Sequence, residues 1–128
     1  MNAAAIIHTI DTSLMNRGLK GRDWLADSRN IAIVDGDDLT LFDYEAPGIY
    51  QIHLLFGSSR GRAAVEQVKA ATVAMFSDHG AQVLFGLVPD VRRDVKLIGR
   101  LAGWRSAGKR QHLGDLFEIF TIHKGMVH

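Results

Sequence analysis

The chain contains 128 residues with a formal net charge of +1, and 47% of the residues are hydrophobic. This length suits one domain with its own apolar core, and the balanced charge excludes a disordered tail and a generally basic nucleic-acid binder. Because the sequence has no cysteine, it also excludes disulfide frameworks, thiolate zinc sites and cysteine nucleophiles.

Residues 1–128 are therefore expected to form a single soluble domain in a reducing compartment, the cytoplasm. The first residues lack the basic region of a signal peptide. No segment approaches the roughly 18 consecutive apolar residues of a membrane span. We expect neither a membrane nor a nucleic acid among the partners of this chain.

The first 30 residues are predicted to form two short helices. Ile6, Ile10 and Leu14 recur at helical spacing. Trp24 and Leu25 can anchor a second helix by packing against the rest of the domain.

Residues 30–56 predict three consecutive antiparallel strands. The segment NIAIVDGDDLTLFDY is typical of a hairpin, because Asp-Gly supplies the backbone freedom of a tight turn. A turn at residues 46–48 then leads into IYQIHLLF, a strand rich in apolar residues. Alternation along this strand puts His53 on one face and Tyr50 on the other.

From residue 61 onward the hydrophobic period becomes helical. Val65, Val68 and Met75 lie on one face of the predicted helix. The apolar run AQVLFGLVP after it is typical of a strand buried on both faces. A strand, a helix and a strand in this order form a right-handed βαβ unit, which predicts that AQVLFGLVP pairs parallel to IYQIHLLF.

The C-terminal part predicts a second long helix, with Asp90 as its N-cap, and then a hairpin. The expected apolar stripe of this helix comprises Val91, Val95, Ile98, Leu101 and Ala102, and its expected solvated face comprises Arg92, Arg93, Lys96 and Arg100. The segment RSAGKRQHLGDLFEIFTIHK predicts the hairpin, and an exposed LFEIFTI edge would let two copies pair as a homodimer. The whole pattern predicts an α+β fold with a mixed sheet: an antiparallel meander, a βαβ unit, a helix and a C-terminal hairpin.

The junction FGSSRGRAAVEQVK, where an apolar strand runs into a helix, carries the main functional pattern. A helix N-terminus collects unpaired backbone N–H groups and partial positive charge, and both suit a phosphate group. Small residues leave room for a ligand, serines can donate hydroxyls, and arginines pair with phosphate oxygens. A purely structural turn is the alternative. The candidate phosphate-binding residues are Phe56, Ser58, Ser59, Arg60, Gly61, Arg62 and Ala63.

This junction and the order of elements resemble the GCN5-related N-acetyltransferase (GNAT) family over residues 30–122. That family holds the pyrophosphate of coenzyme A (CoA) on a loop of the pattern Arg/Gln-x-x-Gly-x-Gly/Ala. The segment SSRGRA matches the pattern at Gly61 and Ala63 and departs from it at Ser58. The arginine at position 60 or 62 would then have to supply the positive charge.

A second segment, GLVPDVRRDVKLIGRLAGW, is similar to the strand and helix that follow in the family. The resemblance implies acetyl-CoA as cosubstrate, the backbone of Leu87 and Val88 beside pantetheine, and Asp90 near the cofactor. The acceptor it implies is a primary amine on a small molecule or a protein. The wording is particularly similar to small GNAT-like proteins of bacteriophages and prophages, which would place the chain in a host cytoplasm or a virion.

Direct acetyl transfer needs a base for the amine and an acid for the leaving thiolate. The position of the family's general-acid tyrosine holds Gly99 here. His53 is the candidate base because imidazole titrates near neutral pH, and Tyr50 or Tyr44 is the candidate acid. A hydrogen-bonded histidine in a half-buried strand and a tyrosine packed in the core are the structural alternatives.

Two functions stay open at this level. The first is an acetyl-CoA-dependent N-acetyltransferase. The second is a catalytically inactive GNAT-fold component of a phage or prophage with a structural or protein-interaction role, which the missing tyrosine and the departure at Ser58 favour. The six histidines show no metal-ligand spacing, so no metal site is expected.

Overall fold

The computed structural model describes residues 1–14 and 18–126. The described elements are helices α1 (Ala3–Ser13) and α2 (Gly21–Ala26), strands β1 (Ile31–Asp35), β2 (Asp38–Ala46) and β3 (Ile49–Leu55), helix α3 (Gly61–Asp78), strand β4 (Val83–Pro89), helix α4 (Arg93–Leu101), strands β5 (Arg105–His112) and β6 (Asp115–His123), and a 3-10 turn (Lys124–Met126). The order is the one that the sequence predicts, and the α+β class is confirmed.

The strands form one six-stranded sheet in the order β1-β2-β3-β4-β6-β5. Strands β3 and β4 pair parallel, as predicted, and the other neighbours pair antiparallel. The prediction that LFEIFTI forms an exposed edge is wrong, because β6 lies between β4 and β5 and both of its edges are hydrogen-bonded. The edges of the described sheet are β1 and β5, so the structure gives no basis for a homodimer through β6.

Two layers of helices cover the sheet, one on each face. On one face α3 and α4 pack over a core that includes Phe42, Tyr50 and Leu84. On the other face α1 and α2 pack over Leu39 and Leu41. We call these the α3/α4 face and the α1/α2 face of the sheet.

Helix α4 differs from its prediction in its start and in part of its buried side. The helix begins at Arg93 and no side chain caps it, so Asp90 is not its N-cap. Val91 is 86% exposed and Leu101 is 57% exposed, whereas Lys96, expected on the solvated face, is only 7% exposed. Val95, Ile98 and Ala102 of the predicted stripe do pack on the core, as predicted. Lys96 is buried as well because carboxylates on neighbouring elements bind it.

Lys96 is the centre of a small ion-pair network at the end of β4. Its ammonium lies 2.5 Å from Asp90 Oδ1 and 2.9 Å from Glu118 Oε1. Hydrogen bonds from Lys96 and then Lys109 lower the pKa of Asp90, and those from Ser106 and then Lys96 lower the pKa of Glu118. The same contacts raise the pKa of Lys96. The network ties α4 to the strands β5 and β6.

The contact between α1 and α2 depends on a glycine. A Cβ added at Gly21 would lie 2.5 Å from the carbonyl oxygen of Ile7. The Gly21 N–H also donates to Asp11 Oδ1 at 2.7 Å. The two helices therefore approach to backbone contact at this point.

We predict that Gly21→Ala destabilises the protein by about 1–3 kcal/mol, because an overpacked site must move backbone rather than a flexible side chain. The urea midpoint of unfolding measures this change. Gly125→Ala is the control, since a Cβ there meets nothing within 4 Å, and its effect should stay within about 0.5 kcal/mol. Equal midpoints for the two variants would contradict the close approach.

We predict that Lys96→Met lowers the urea midpoint most near neutral pH. Without Lys96, the buried Glu118 carboxylate loses a charged partner. The lowered pKa values of Asp90 and Glu118 give the wild type stability that is present above their ordinary values of 3.8 and 4.5 and is lost as the pH falls below them. The gap between wild type and variant should therefore narrow in acid, and a gap that stays constant from neutral pH to pH 3 would disprove the assignment.

Candidate functional site

The candidate site lies where strands β3 and β4 separate. Three residue pairs align in this parallel ladder, and the last of them joins Gln51 to Phe85. Beyond that pair, β3 continues along β2 and β4 continues along β6. The edges that β3 and β4 turn toward each other are therefore without a strand partner over their last residues.

A cavity of about 360 Å³ occupies this gap. Its walls come from both faces of the sheet: Ser13 and His53 lie on the α1/α2 face, and Val68 and Ile98 lie on the α3/α4 face. The cavity thus has walls on both faces of the sheet at the gap.

The structure brings three of the sequence-predicted site residues to this cavity and leaves a fourth away from it. His53, Leu87 and Val88 line the cavity. Tyr50 does not line it, because its side chain is buried on the opposite face from His53 and packs edge-to-face on Tyr44 with ring centroids 5.8 Å apart. This position argues against Tyr50 as the acid.

His53 belongs to a chain of buried polar groups. Its Nε2 lies 2.6 Å from Asp43 Oδ2, and the other oxygen of Asp43 accepts a hydrogen bond from Trp24 Nε1. The side chain of His53 is 6% exposed and that of Asp43 is 15% exposed. Beside an ionised carboxylate, which can only accept, Nε2 is the donor, and in the neutral form of the ring Nδ1 then has the lone pair. No hydrogen bond within the described residues engages Nδ1.

Sequence reasoning missed Asp43 and Trp24. The signal for Asp43 was a carboxylate inside an apolar strand, on the same face as Leu41. In the antiparallel register Leu41 stands opposite His53, which puts Asp43 on the diagonal to the histidine. Trp24 was expected only to pack against the domain, so the hydrogen bond from its indole N–H to Asp43 was not predicted.

The junction before α3 is fastened by two carboxylates from the β1–β2 turn. Asp38, which is 5% exposed, accepts from the Gly57 N–H at 3.0 Å and from the Ser59 hydroxyl. Asp37 accepts from the Ser58 hydroxyl at 2.8 Å. The two serine hydroxyls predicted to hold phosphate are therefore engaged by aspartates of the same chain. The segment DGDD contains more aspartates than a tight turn needs, and this excess was the sequence signal that some of them bind another part of the chain.

The first turn of α3 is left open. Arg60 occupies the N-cap position, but its side chain makes no capping hydrogen bond to the helix. Its guanidinium donates instead to the carbonyl oxygens of Gly57 and Ser59. Gly61 has φ +55°, and a Cβ there would meet nothing within 4 Å. The backbone N–H groups of the first turn therefore have no side-chain acceptor in the described part of the chain, and they could hold an anion.

The other predicted cofactor residues lie in two different settings. Phe56 packs against the core of the α3/α4 face, and Arg62 and Ala63 are exposed at the start of α3. Asp90 is paired with Lys96 and Lys109, and it neither caps a helix nor offers a free charge.

Two classes of site are not seen among the described residues. No group of three or more His, Cys, Asp or Glu side chains there is arranged to hold a metal ion. None of the described helices combines the length and apolar character that a membrane crossing requires.

No protein-family model matches the sequence, and no curated protein sequence matches it. Solved structures do match. Mycobacterium smegmatis RimJ in complex with CoA-disulfide superposes with a TM-score of 0.73 at 12% identity, over 96% of this chain and 78% of that one. An acetyltransferase of the GNAT family from Bacillus anthracis gives a TM-score of 0.63 at 16% identity, over 96% of this chain and 89% of that one.

The aminoglycoside acetyltransferase AAC(6')-Ib in complex with coenzyme A and kanamycin gives a TM-score of 0.64 at 15% identity, over 80% of this chain and 71% of that one. At such identities the similarity concerns the fold. The mixed six-stranded sheet, its single parallel pair and its two helical layers give this chain the acyl-CoA N-acyltransferase fold of the GNAT family.

Proposed function

We propose that this protein is an N-acetyltransferase that moves an acetyl group from acetyl-CoA directly to a primary amine. The observation that carries the proposal is the cavity at the β3–β4 gap, which is lined by His53, a residue that Asp43 holds by a hydrogen bond. Neighbours with the same fold are solved with coenzyme A bound, which supports the choice of cosubstrate.

The N-terminus of α3 is the proposed cradle for the pyrophosphate of CoA. The open backbone N–H groups of Gly61, Arg62 and Ala63 would donate to phosphate oxygens, and the Arg62 side chain would add positive charge. The serines before them would shape the loop through their bonds to the two aspartates rather than touch the phosphate.

The gap between β3 and β4 is the proposed place for pantetheine. An amide-bearing chain can take the place of the missing strand partner, because the facing edges offer unpaired N–H and C=O groups. Leu87 on β4 would supply those groups. Val88 also lines the cavity, but it stands opposite Glu118 in the same alternation as the hydrogen-bonded pair Asp90–Leu116, so its backbone groups turn toward β6. This arrangement would bring the thioester beside His53.

His53 is the proposed general base. The neutral amine nitrogen would attack the thioester carbonyl carbon while Nδ1 takes the proton that this nitrogen loses, and the tetrahedral intermediate would then break its carbon–sulfur bond to release the thiolate of CoA. Asp43 would hold the ring in the tautomer with a proton on Nε2 and stabilise the imidazolium. The proton gained by Nδ1 can return to the thiolate, so the reaction balances without a tyrosine acid.

The acceptor in this proposal is a primary amine, on a small molecule or on a protein. One of the matched structures contains the aminoglycoside kanamycin, so kanamycin and a lysine-containing peptide are suitable probes. The alternative of an inactive phage or prophage interaction component predicts neither CoA binding nor turnover. The phage resemblance and the cytoplasmic location stay predictions from the sequence.

We predict that Gly61→Asp weakens CoA binding about tenfold, since a carboxylate near the pyrophosphate adds repulsion of about 1–2 kcal/mol at this exposed position. Gly61→Asn is the isosteric neutral partner, and both residues tolerate the left-handed backbone at this position. Calorimetric titration with CoA measures the change, with ATP as the control for a generic phosphate site.

Gly114→Asp controls for backbone strain, because Gly114 also has positive φ (+85°) and open space around its Cβ, in the remote β5–β6 turn. Its affinity for CoA should equal that of the wild type. If Gly61→Asp binds as tightly as Gly114→Asp, the cradle is not at α3.

We predict that His53→Gln lowers kcat by about 10²-fold or more while acetyl-CoA affinity changes little, because the lost group acts on the amine. Asp43→Asn should also lower kcat, since an amide cannot stabilise the imidazolium. Thiol release from acetyl-CoA with kanamycin or the peptide measures the rate. His112→Gln, on an exposed part of β5, is the control, and an equal kcat for both histidine variants would rule out His53.

A further inference from the structure

The α3/α4 side of the cavity is an apolar chamber. Its walls come from β3, α3, α4 and β6 and from the segment after α4, and they comprise Ile52, Val68, Val95, Ile98, Trp104 and Phe120. None of these six side chains carries a charge. Arg92, at the start of α4, also lines the cavity, and its guanidinium donates to the Asp94 carboxylate. We call this space the helix-side chamber.

The one polar side-chain atom in these walls is already used. The indole Nε1 of Trp104 donates to Thr72 Oγ1 at 3.3 Å. A ligand in the chamber would therefore find apolar carbon to contact and no free hydrogen-bonding group among the six wall side chains. This lining fits a hydrocarbon chain and disfavours a polar ligand.

Two glycines, Gly86 on β4 and Gly99 on α4, also line the cavity. Gly86 faces Ile52 closely, because a Cβ there would lie 3.0 Å from Ile52 Cγ2. Gly99 is different. A Cβ there would make only ordinary contacts, 3.8 Å from Phe120 Cδ1 and 4.0 Å from Trp104 Cβ, and its φ is not positive.

Nothing in the backbone or the packing therefore requires glycine at position 99. Glycine inside a helix is unfavourable relative to alanine, and unfilled apolar space forfeits packing contacts. Gly99 is itself half-buried, so the chamber is accessible at this residue, whereas Phe120 and Trp104 behind it are almost fully buried. An open apolar space kept at such a cost is explained if a ligand fills it.

We propose that the helix-side chamber takes the acyl chain of the donor, and that the preferred donor carries a linear apolar acyl group longer than acetyl. The inference rests on the proposed function, since it needs an acyl-CoA in the gap. His53 lies on the opposite face of the sheet from the chamber. With the thioester carbonyl in the gap, the amine would approach from the His53 side and the acyl chain would extend into the chamber.

The test is a calorimetric titration of the full chain with CoA, acetyl-CoA, butyryl-CoA and hexanoyl-CoA. The affinity should rise about threefold to fourfold for each methylene that enters the chamber. Binding of CoA with no gain from acetyl to butyryl would overturn this inference and leave the proposed function standing. If CoA itself does not bind, the proposed function fails and this inference fails with it.

A pair of glycine variants locates the chain. Gly99→Leu should fill the chamber and reduce the ratio of hexanoyl-CoA to acetyl-CoA affinity toward one. Gly125→Leu, in the exposed 3-10 turn, should keep the wild-type ratio. A full ratio in Gly99→Leu would overturn the chamber as the acyl site, and the wild-type series decides the matter even if that variant fails to fold.

Discussion

The parallel pairing of β3 and β4 stops after three residue pairs, and the arrangement of every candidate group depends on this limit. Each strand keeps its outer antiparallel partner to the end, so the sheet stays intact while a gap opens in its middle. A fully zipped pair would satisfy all backbone groups and leave no cavity. Because the ladder is short, some backbone N–H and C=O groups of β3 and β4 stay unpaired, and they border a slot whose walls come from both faces of the sheet.

Two aspartates of β2, the buried Asp38 and the half-buried Asp43, are held in place by similar means. Each has no basic side chain as its main partner and is held by neutral donors or a histidine instead: backbone and hydroxyl groups for Asp38, an indole and an imidazole for Asp43. Such networks order their partners because an unmade hydrogen bond in the interior is costly. Asp38 fixes the loop before α3, and Asp43 fixes the ring of His53.

The order of elements, the parallel pair and the two faces of β3 could be predicted from hydrophobic period and turn chemistry. Those signals are local, and every one of them agrees with the structure. The burial of Lys96 on α4 could not be predicted, because a lysine looks like a solvated residue until its partner Glu118 is known. The same limit hid Asp43, whose role depends on the register between two strands. The hydrophobic period of the sequence therefore predicts the fold, whereas the chemistry of the site depends on contacts between elements, which that period does not predict.

Gly99 stands where the resemblance to the GNAT family implies a tyrosine, and the loss of that side chain can be interpreted in two ways. As the loss of an acid, it makes the fold a poorer catalyst of acetyl transfer. As a gain of apolar volume beside Phe120, it changes which acyl group fits while His53 and Asp43 still provide proton transfer. We favour the second interpretation, because it also explains why the surrounding side chains are apolar and why the indole N–H of Trp104 is already hydrogen-bonded. In a protein that binds no acyl-CoA, this space would bring no benefit, and close packing of the interior would favour a larger residue at position 99.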